Sequence, residues 1–178
     1  MARPPVNPLS HNGNEISYFE RLILLNKKYL EEDGIYLNFN GYKETIDEYT
    51  TLKENEIEKA WRLTKELNAW SEYFSEVANL IQLKYLDAET DKIEVQSLKS
   101  IENSGTSVSA GDRYADTTTE VIYSRKKRNA LKSLYEELIS KIKFLERGYY
   151  HCKSTCEWSN KLKTSYNPQI NNDNNGEY

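Results

Sequence analysis

The 178-residue chain has only seven Gly, four Pro, two Cys and two His. Glycine and proline at that level are too sparse to punctuate the many short strands of a β-sandwich. Cys152 and Cys156, four apart on one predicted helix, offer no disulfide framework, so a reducing, cytoplasmic setting is expected. A closed zinc site needs four ligands, and His11 lies far along the chain from His151 and the two cysteines, so neither metal nor cofactor is expected. Both cysteines also fall on an apolar seam, where a thiol behaves as a small hydrophobe, and nothing beside them supplies a base. Gly105 and Gly111 sit in a Ser/Thr-rich stretch without the Gly-Lys-Ser/Thr of a phosphate loop. The carboxylate pairs Glu31–Glu32 and Glu136–Glu137 read as solvated helix surface. No catalytic residue is therefore named, and no enzyme is expected. No apolar run approaches the roughly 18 residues of a membrane span, and Met1–Pro8 has no apolar core for a signal peptide, so no membrane partner is expected.

Charge is abundant and unevenly placed. Charged residues make up 29% of the chain and hydrophobic ones 38%, with a mean hydropathy of −0.82. Low apolar content with clear periodicity implies narrow helical seams whose other faces stay wet. The net charge of −4 conceals an acidic first part and a basic second part. Residues 1–119 hold 13 basic and 21 acidic side chains, and residues 120–178 hold 11 and 7. Such asymmetry suits an oriented assembly, or a nucleic-acid face confined to one element; complementary pairing between the two parts would account for it equally well.

Four regions follow. Residues 1–14 read as a mobile arm punctuated by proline. Residues 15–52 hold a short amphipathic helix, Ile16–Glu32, with Asn14 as N-cap and Asp33-Gly34 as stop. A segment from Ile35 to Asp47 follows, either a short strand or irregular. Residues 53–163 form two long helices joined by a polar tip loop at 103–118, which fits a β-ribbon or a disordered loop. Residues 164–178 read as a low-complexity, disordered tail.

The long helices carry the strongest pattern. Ala60, Leu63, Leu67, Trp70, Phe74, Val77 and Ile81 recur every three or four residues; the seam weakens at Lys84 and Asp91 and resumes at Val95 and Leu98. Leu131, Tyr135, Leu138, Ile142, Leu145, Tyr149, Cys152 and Cys156 form the facing seam. The expected fold is all-α, an elongated antiparallel helical hairpin with a short N-terminal helix. Apolar positions left over (Tyr73, Tyr85, Tyr123, Ile139, Trp158) lead us to expect that it oligomerises.

One cluster points to a ligand. Arg125, Lys126, Lys127 and Arg128 are consecutive, so on a helix at least two of them face solvent. Lys132, Lys141, Lys143, Arg147, Lys153, Lys161 and Lys163 continue the basic character, with Tyr123, Tyr135, Tyr149, Tyr150 and Trp158 interleaved. Cations for phosphates beside aromatic faces for unstacked bases is how single-stranded nucleic acid is held. The plainer account is a solvated helix face with tyrosines in its seam.

The same helix resembles the UvsY family, recombination mediators of large tailed phages. Leu134 to Ile139 (Leu-Tyr-Glu-Glu-Leu-Ile) and Tyr150, Lys153, Glu157 and Trp158 follow that family's order and spacing, and Arg147 stands one position early. Trp70 to Tyr73 and the helix leading to Ser104-Gly105 resemble its first hairpin arm and turn, the likeness covering about residues 57–163. The N-terminal arm, the Asn-rich tail and the acidic stretch Asp87, Glu89, Asp91, Glu94 depart from the family pattern. The resemblance implies a non-enzymatic helper of homologous recombination, acting in the host-cell cytoplasm. Such proteins form ring-like homo-oligomers and bind single-stranded DNA. They help a RecA-like recombinase displace single-strand-binding protein. DNA contact is then expected at Arg125, Lys126, Lys127, Arg128 and Lys132, with Arg147 and Lys153 further along. The other reading is a non-enzymatic helical-hairpin structural or adaptor protein of a phage assembly.

Overall fold

A computed structural model describes residues 9–11, 14–102 and 107–165, with side chains placed over 16–102 and 107–158. Among these residues the chain is all-α apart from one small ribbon, β1 (Leu9–His11) paired antiparallel with β2 (Asn14–Ile16). The helices are α1 (Tyr18–Glu32), α2 (Tyr42–Thr50), α3 (Ile57–Glu102), α4 (Val108–Thr117) and α5 (Thr119–Ser165). They divide into two compact units. One contains the ribbon, α1, α3 from Glu72, α4, and α5 as far as Lys143. The other contains Phe39–Ser71 and α5 from Phe144. In each unit α3 and α5 run antiparallel. Lys99 reaches Glu120 in the first, and in the second Cys156 lies beside the Ile57 carbonyl while Gly148 abuts Leu67.

α1 starts at a different cap from the one expected. Ser17, not Asn14, is the N-cap: its hydroxyl accepts from the Glu20 N–H (3.2 Å), and its own N–H donates to the Glu20 carboxylate (2.7 Å). That reciprocal pair satisfies two orphan donors, whereas Asn14 has Ser17 three residues on and no acid to complete a box. Asn14 belongs to β2 instead, so the segment expected to be a mobile arm carries paired backbone at 9–11 and 14–16. The stop at Asp33-Gly34 is as expected, with Gly34 left-handed at φ 72°. Phe19, Leu22, Asn26 and Leu30 form the buried side of α1. Asn26 donates to the Leu22 carbonyl (2.9 Å) and across to the Ala130 carbonyl of α5 (3.0 Å).

In the other unit, α2 replaces the strand or irregular stretch expected through Asp47. The alternation of Ile35, Leu37 and Phe39 shows in their partial burial, but it stops at Gly41, which is left-handed at φ 84°. Beyond that glycine, Tyr42, Thr45, Ile46 and Tyr49 take up helical spacing. The Trp70 indole donates to Thr45 Oγ1 (3.2 Å) and meets the Tyr42 ring edge-on. Arg62 bridges Glu48 of α2 and Glu66 of α3.

The α3 seam buries Ala60, Leu63, Leu67, Phe74, Val77 and Ile81 completely or nearly so, with Trp70 half-buried. After Ile81 the next buried position is Ala88, and Leu98, expected to resume the seam, is exposed. On α5, Leu131, Leu138, Leu145, Cys152 and Cys156 are buried as expected, while Tyr135, Ile142 and Tyr149 are half-buried. Val121, Leu134 and Gly148 complete the buried side.

The tip differs most. Residues 103–106 lie outside the described set, but 108–117, expected as loop, form α4. Ser107 caps it by accepting from the Ala110 N–H (3.2 Å). Gly111 and Ala115, one turn apart, are its buried side. Only a glycine fits the first position, because a Cβ there would lie 2.5 Å from the Ser100 carbonyl oxygen of α3. The glycine that reads in sequence as a loop breaker is instead the point where two helix backbones touch. The expected tail begins at 164; α5 continues helical to Ser165, and the rest lies outside the described residues.

Candidate nucleic-acid interface

The seven cations singled out by sequence are divided between the two units. Arg125, Lys126, Lys127, Arg128 and Lys132 belong to the first unit, Arg147 and Lys153 to the second. Within the first unit the quartet is partly spoken for. The Arg125 guanidinium lies 2.5 Å from Asp116 Oδ1 at the end of α4, an oxygen that also accepts from Gln96 (3.2 Å). Lys127 borders a surface cleft of about 360 Å³ lined by Asp33, Lys84, Asp87, Thr90 and Asp91, in which Lys84 pairs with Asp33 at 3.0 Å. Arg128 is half-buried, and its Nε is enclosed without a hydrogen-bond partner among the described residues. Lys132 lies 3.9 Å from Glu136 one turn on. Lys126 is the one member of the quartet that is exposed; the other three are half-buried. Glu136 is on α5 itself, while the other acids that temper these cations come from α3, α4 and the C-cap of α1.

Aromatic residues divide in the same way. Tyr123 packs its ring edge-on against Tyr29, takes the Lys28 ammonium over its face at 5.5 Å, and reaches Glu32 at 3.5 Å. It is a packing element between α5 and α1. Burial pushes both phenols up, Tyr29 with help from Tyr123 against the opposing Lys28, and Tyr123 with help from Glu32. Tyr135 and Tyr149 are half-buried in the seam.

In the second unit, by contrast, Tyr150 and Trp158 are each 66% exposed. Arg147, Tyr150, Ser154 and Trp158 follow steps of three and four, which puts them on one face of α5 with Lys153 at its margin. All five are exposed. The two rings are about 12 Å apart along the helix axis. Tyr149 supports Tyr150 edge-on at 5.2 Å, and the His151 ring leans on Tyr49 at 5.9 Å. Glu146 and Glu157 flank the face, so its positive character is modest.

Sequence reasoning missed Trp61. It stands beside the seam residue Ala60, is exposed, and carries the Lys65 ammonium 5.3 Å above its ring. With Ile57, Glu58 and Cys156 it lines a second cleft of about 400 Å³. A large aromatic one position off an apolar seam was the signal available. The cysteines behave as expected of core residues. Both are reduced and buried, and burial, with the neighbouring Cys156, pushes the Cys152 thiol up to about 11. Burial, then Glu157, raises Cys156 as well. Among the described residues no group of three or more His, Cys, Asp and Glu is placed to hold a metal ion, and no helix is long and apolar enough to cross a membrane.

No protein-family model matches the chain, and no curated protein or solved structure is significantly similar to it.

Proposed function

We propose that this chain is a non-enzymatic single-stranded-DNA-binding protein of the recombination-mediator kind, which helps a RecA-like recombinase replace single-strand-binding protein on DNA. The observation that carries the reading is the exposed face of α5 in the second unit, where Tyr150 and Trp158 stand clear with Arg147 and Lys153 beside them. Two exposed rings on one helical face offer stacking surfaces for unpaired bases, each contributing on the order of 1–3 kcal/mol, and the cations supply phosphate contacts. The sequence likeness to UvsY covers this same segment. A homo-oligomer would multiply such modest contacts along a strand, and binding would fall as salt rises. In this reading Lys126 is an additional phosphate contact, and Arg125 and Lys127 contribute less because Asp116 and the Asp33–Asp87–Asp91 cleft already face them.

Fluorescence anisotropy of labelled oligo-dT, titrated with the protein at low and moderate salt, tests the proposal. Saturable binding that weakens with salt, and that drops about tenfold or more in Trp158→Ala and Tyr150→Ala, is expected. A folded protein with no binding at low salt ends it.

The adaptor reading draws on a different observation, the exposed leucines and isoleucine on α3 in the first unit. It predicts loss of a protein partner, with nothing lost toward DNA, when that face is altered.

A further inference from the structure

α3 is apolar on two opposite sides. Its buried side in the first unit is Phe74, Val77, Ile81 and Ala88. Half a turn round, Leu83, Leu86, Thr90, Ile93 and Ser97 repeat at steps of three, four, three and four, a two-heptad stripe about 21 Å long. Leu83 and Ile93 are 61% and 56% exposed, and Leu86 is also exposed. The two hydroxyl residues in the stripe do not make it polar. Thr90 Oγ1 donates to the Leu86 carbonyl (3.1 Å) and Ser97 Oγ to the Ile93 carbonyl (2.9 Å), so both are satisfied within the helix. Covering the stripe would therefore strand no polar group, the condition under which burial of such a face is favourable.

The margins of the stripe are acidic. Asp87 and Glu94 follow one edge and Glu89 the other; Asp87 shares its cleft with Lys127 and with Lys84, which pairs with Asp33, while Lys92 and Lys99 point toward the opposite, packed side of the helix by their register. A second copy is a poor occupant. Laid antiparallel with Thr90 against Ile93, it places Asp87 opposite Glu94 twice; laid parallel, it places Glu89 opposite Glu94 twice. Like charges at those flanking positions discriminate against self-pairing.

We propose that this stripe docks one amphipathic helix of another protein, with leucine-type residues in its seam and lysine or arginine at its flanking positions. The apolar seam supplies the contact, and Asp87, Glu89 and Glu94 select the basic partner and its register. The surface lies on α3 in the first unit, whereas the Tyr150–Trp158 face that carries the DNA reading belongs to the second.

The test uses the full-length protein and two synthetic 21-residue helices that share one leucine seam, one with Lys and the other with Glu at the flanking positions. Anisotropy at moderate salt should show the Lys-flanked helix binding at least tenfold tighter. Asp87→Lys with Glu94→Lys should reverse that preference. Leu86→Asp with Ile93→Asp should abolish binding while leaving the circular dichroism spectrum and melting temperature intact, since both side chains are exposed. Equal binding of the two helices, binding of neither, or retained binding in the Leu86/Ile93 variant overturns the proposal. So does sedimentation showing that the Leu86/Ile93 variant converts an oligomer to monomer, which would make a second copy the occupant. DNA binding is expected to be retained in the Leu86/Ile93 variant, whose side chains lie outside the cleft that faces Lys127, so failure here and failure of the DNA reading are separable.

Discussion

Gly111→Ala is expected to destabilise the protein although it sits inside a helix. In a solvated helix the change would favour folding by up to about 1 kcal/mol, because alanine loses less backbone entropy and is the better helix former. At Gly111 the added Cβ would stand 2.5 Å from the Ser100 carbonyl oxygen, 3.0 Å from its hydroxyl and 3.3 Å from its carbonyl carbon. The first is about an ångström inside ordinary contact, and the obstacle is the backbone of α3 rather than the end of a flexible side chain. α4 must therefore lift away. Lifting stretches the bond from Ser100 Oγ to Asp112 (2.7 Å) and that from Gln96 to Asp116 (3.2 Å), and it opens a gap over the fully buried Ala115. Overpacking of this kind costs about 1–3 kcal/mol, which outweighs the helix-propensity gain and leaves a net loss of about 1–2 kcal/mol. Urea denaturation should show the lowered midpoint, and hydrogen exchange should show amides of 108–117 losing protection before those of α5. A midpoint equal to or above that of the parent protein would refute the close-approach argument for α4 against Ser100.

Three further outcomes follow from the same kind of reasoning. Gly148→Ala should be nearly neutral, within about 1 kcal/mol by urea midpoint, because the contacts it makes are milder: Leu67 Cδ1 at 3.2 Å and Tyr49 Cζ at 3.4 Å, both side-chain atoms, set against the gain in helix propensity. Asn26→Asp should cost about 3 kcal/mol or more in thermal or urea unfolding, since a carboxylate would replace the amide that donates to Leu22 and Ala130 at a fully buried site, and Asn26→Leu should cost much less. The buried thiols give a pH signature. With Cys152 held protonated up to about 11 when folded, against 9.0 ordinarily, its contribution is complete below pH 9 and is lost as pH rises from about 9 to 11. Melting temperature should fall across that window and fall less in Cys152→Ala; an identical pH profile in the variant would contradict the burial argument.

The parts of the fold that sequence made legible are those where periodicity and burial have one cause. The α3 run from Ala60 to Ile81 and the α5 run from Leu131 to Cys156 are spaced to face a neighbour, and their spacing alone located both long helices to within a few residues. What escaped was set by particular contacts. Gly111 and the Ser/Thr residues around it have poor helix propensity, and α4 forms because that glycine lets α3 come close and Ser107 supplies a cap. Tyr42–Thr50 was masked by the alternation just before it, and only the Trp70 bond to Thr45 shows why the chain turns helical after Gly41. At the candidate interface, the cations were visible but their counter-charges were not. Asp33, Asp87 and Asp91 are distant in sequence from Lys127, and Asp116, only nine residues before Arg125, meets it because α4 ends and α5 begins between them.

The double-sided character of α3 bears on why its seam seemed to weaken after Ile81. Along residues 83–97 the apolar residues have not thinned out; they have moved to the far side, leaving Lys84, Ala88 and Lys92 to track the packed side. A single-stripe reading scores that shift as decay. Physically it is a change of customer: the inner face needs only small or snorkelling side chains where α4 and the start of α5 come close, as the contacts of Ser100 and Lys99 show. The outer face keeps Leu83, Leu86 and Ile93, all of them exposed. Leucine and isoleucine held at heptad spacing on a wet face, with acids at the margins and their intervening hydroxyls already bonded, are what a surface looks like when it is shaped for a helix that is not part of its own unit.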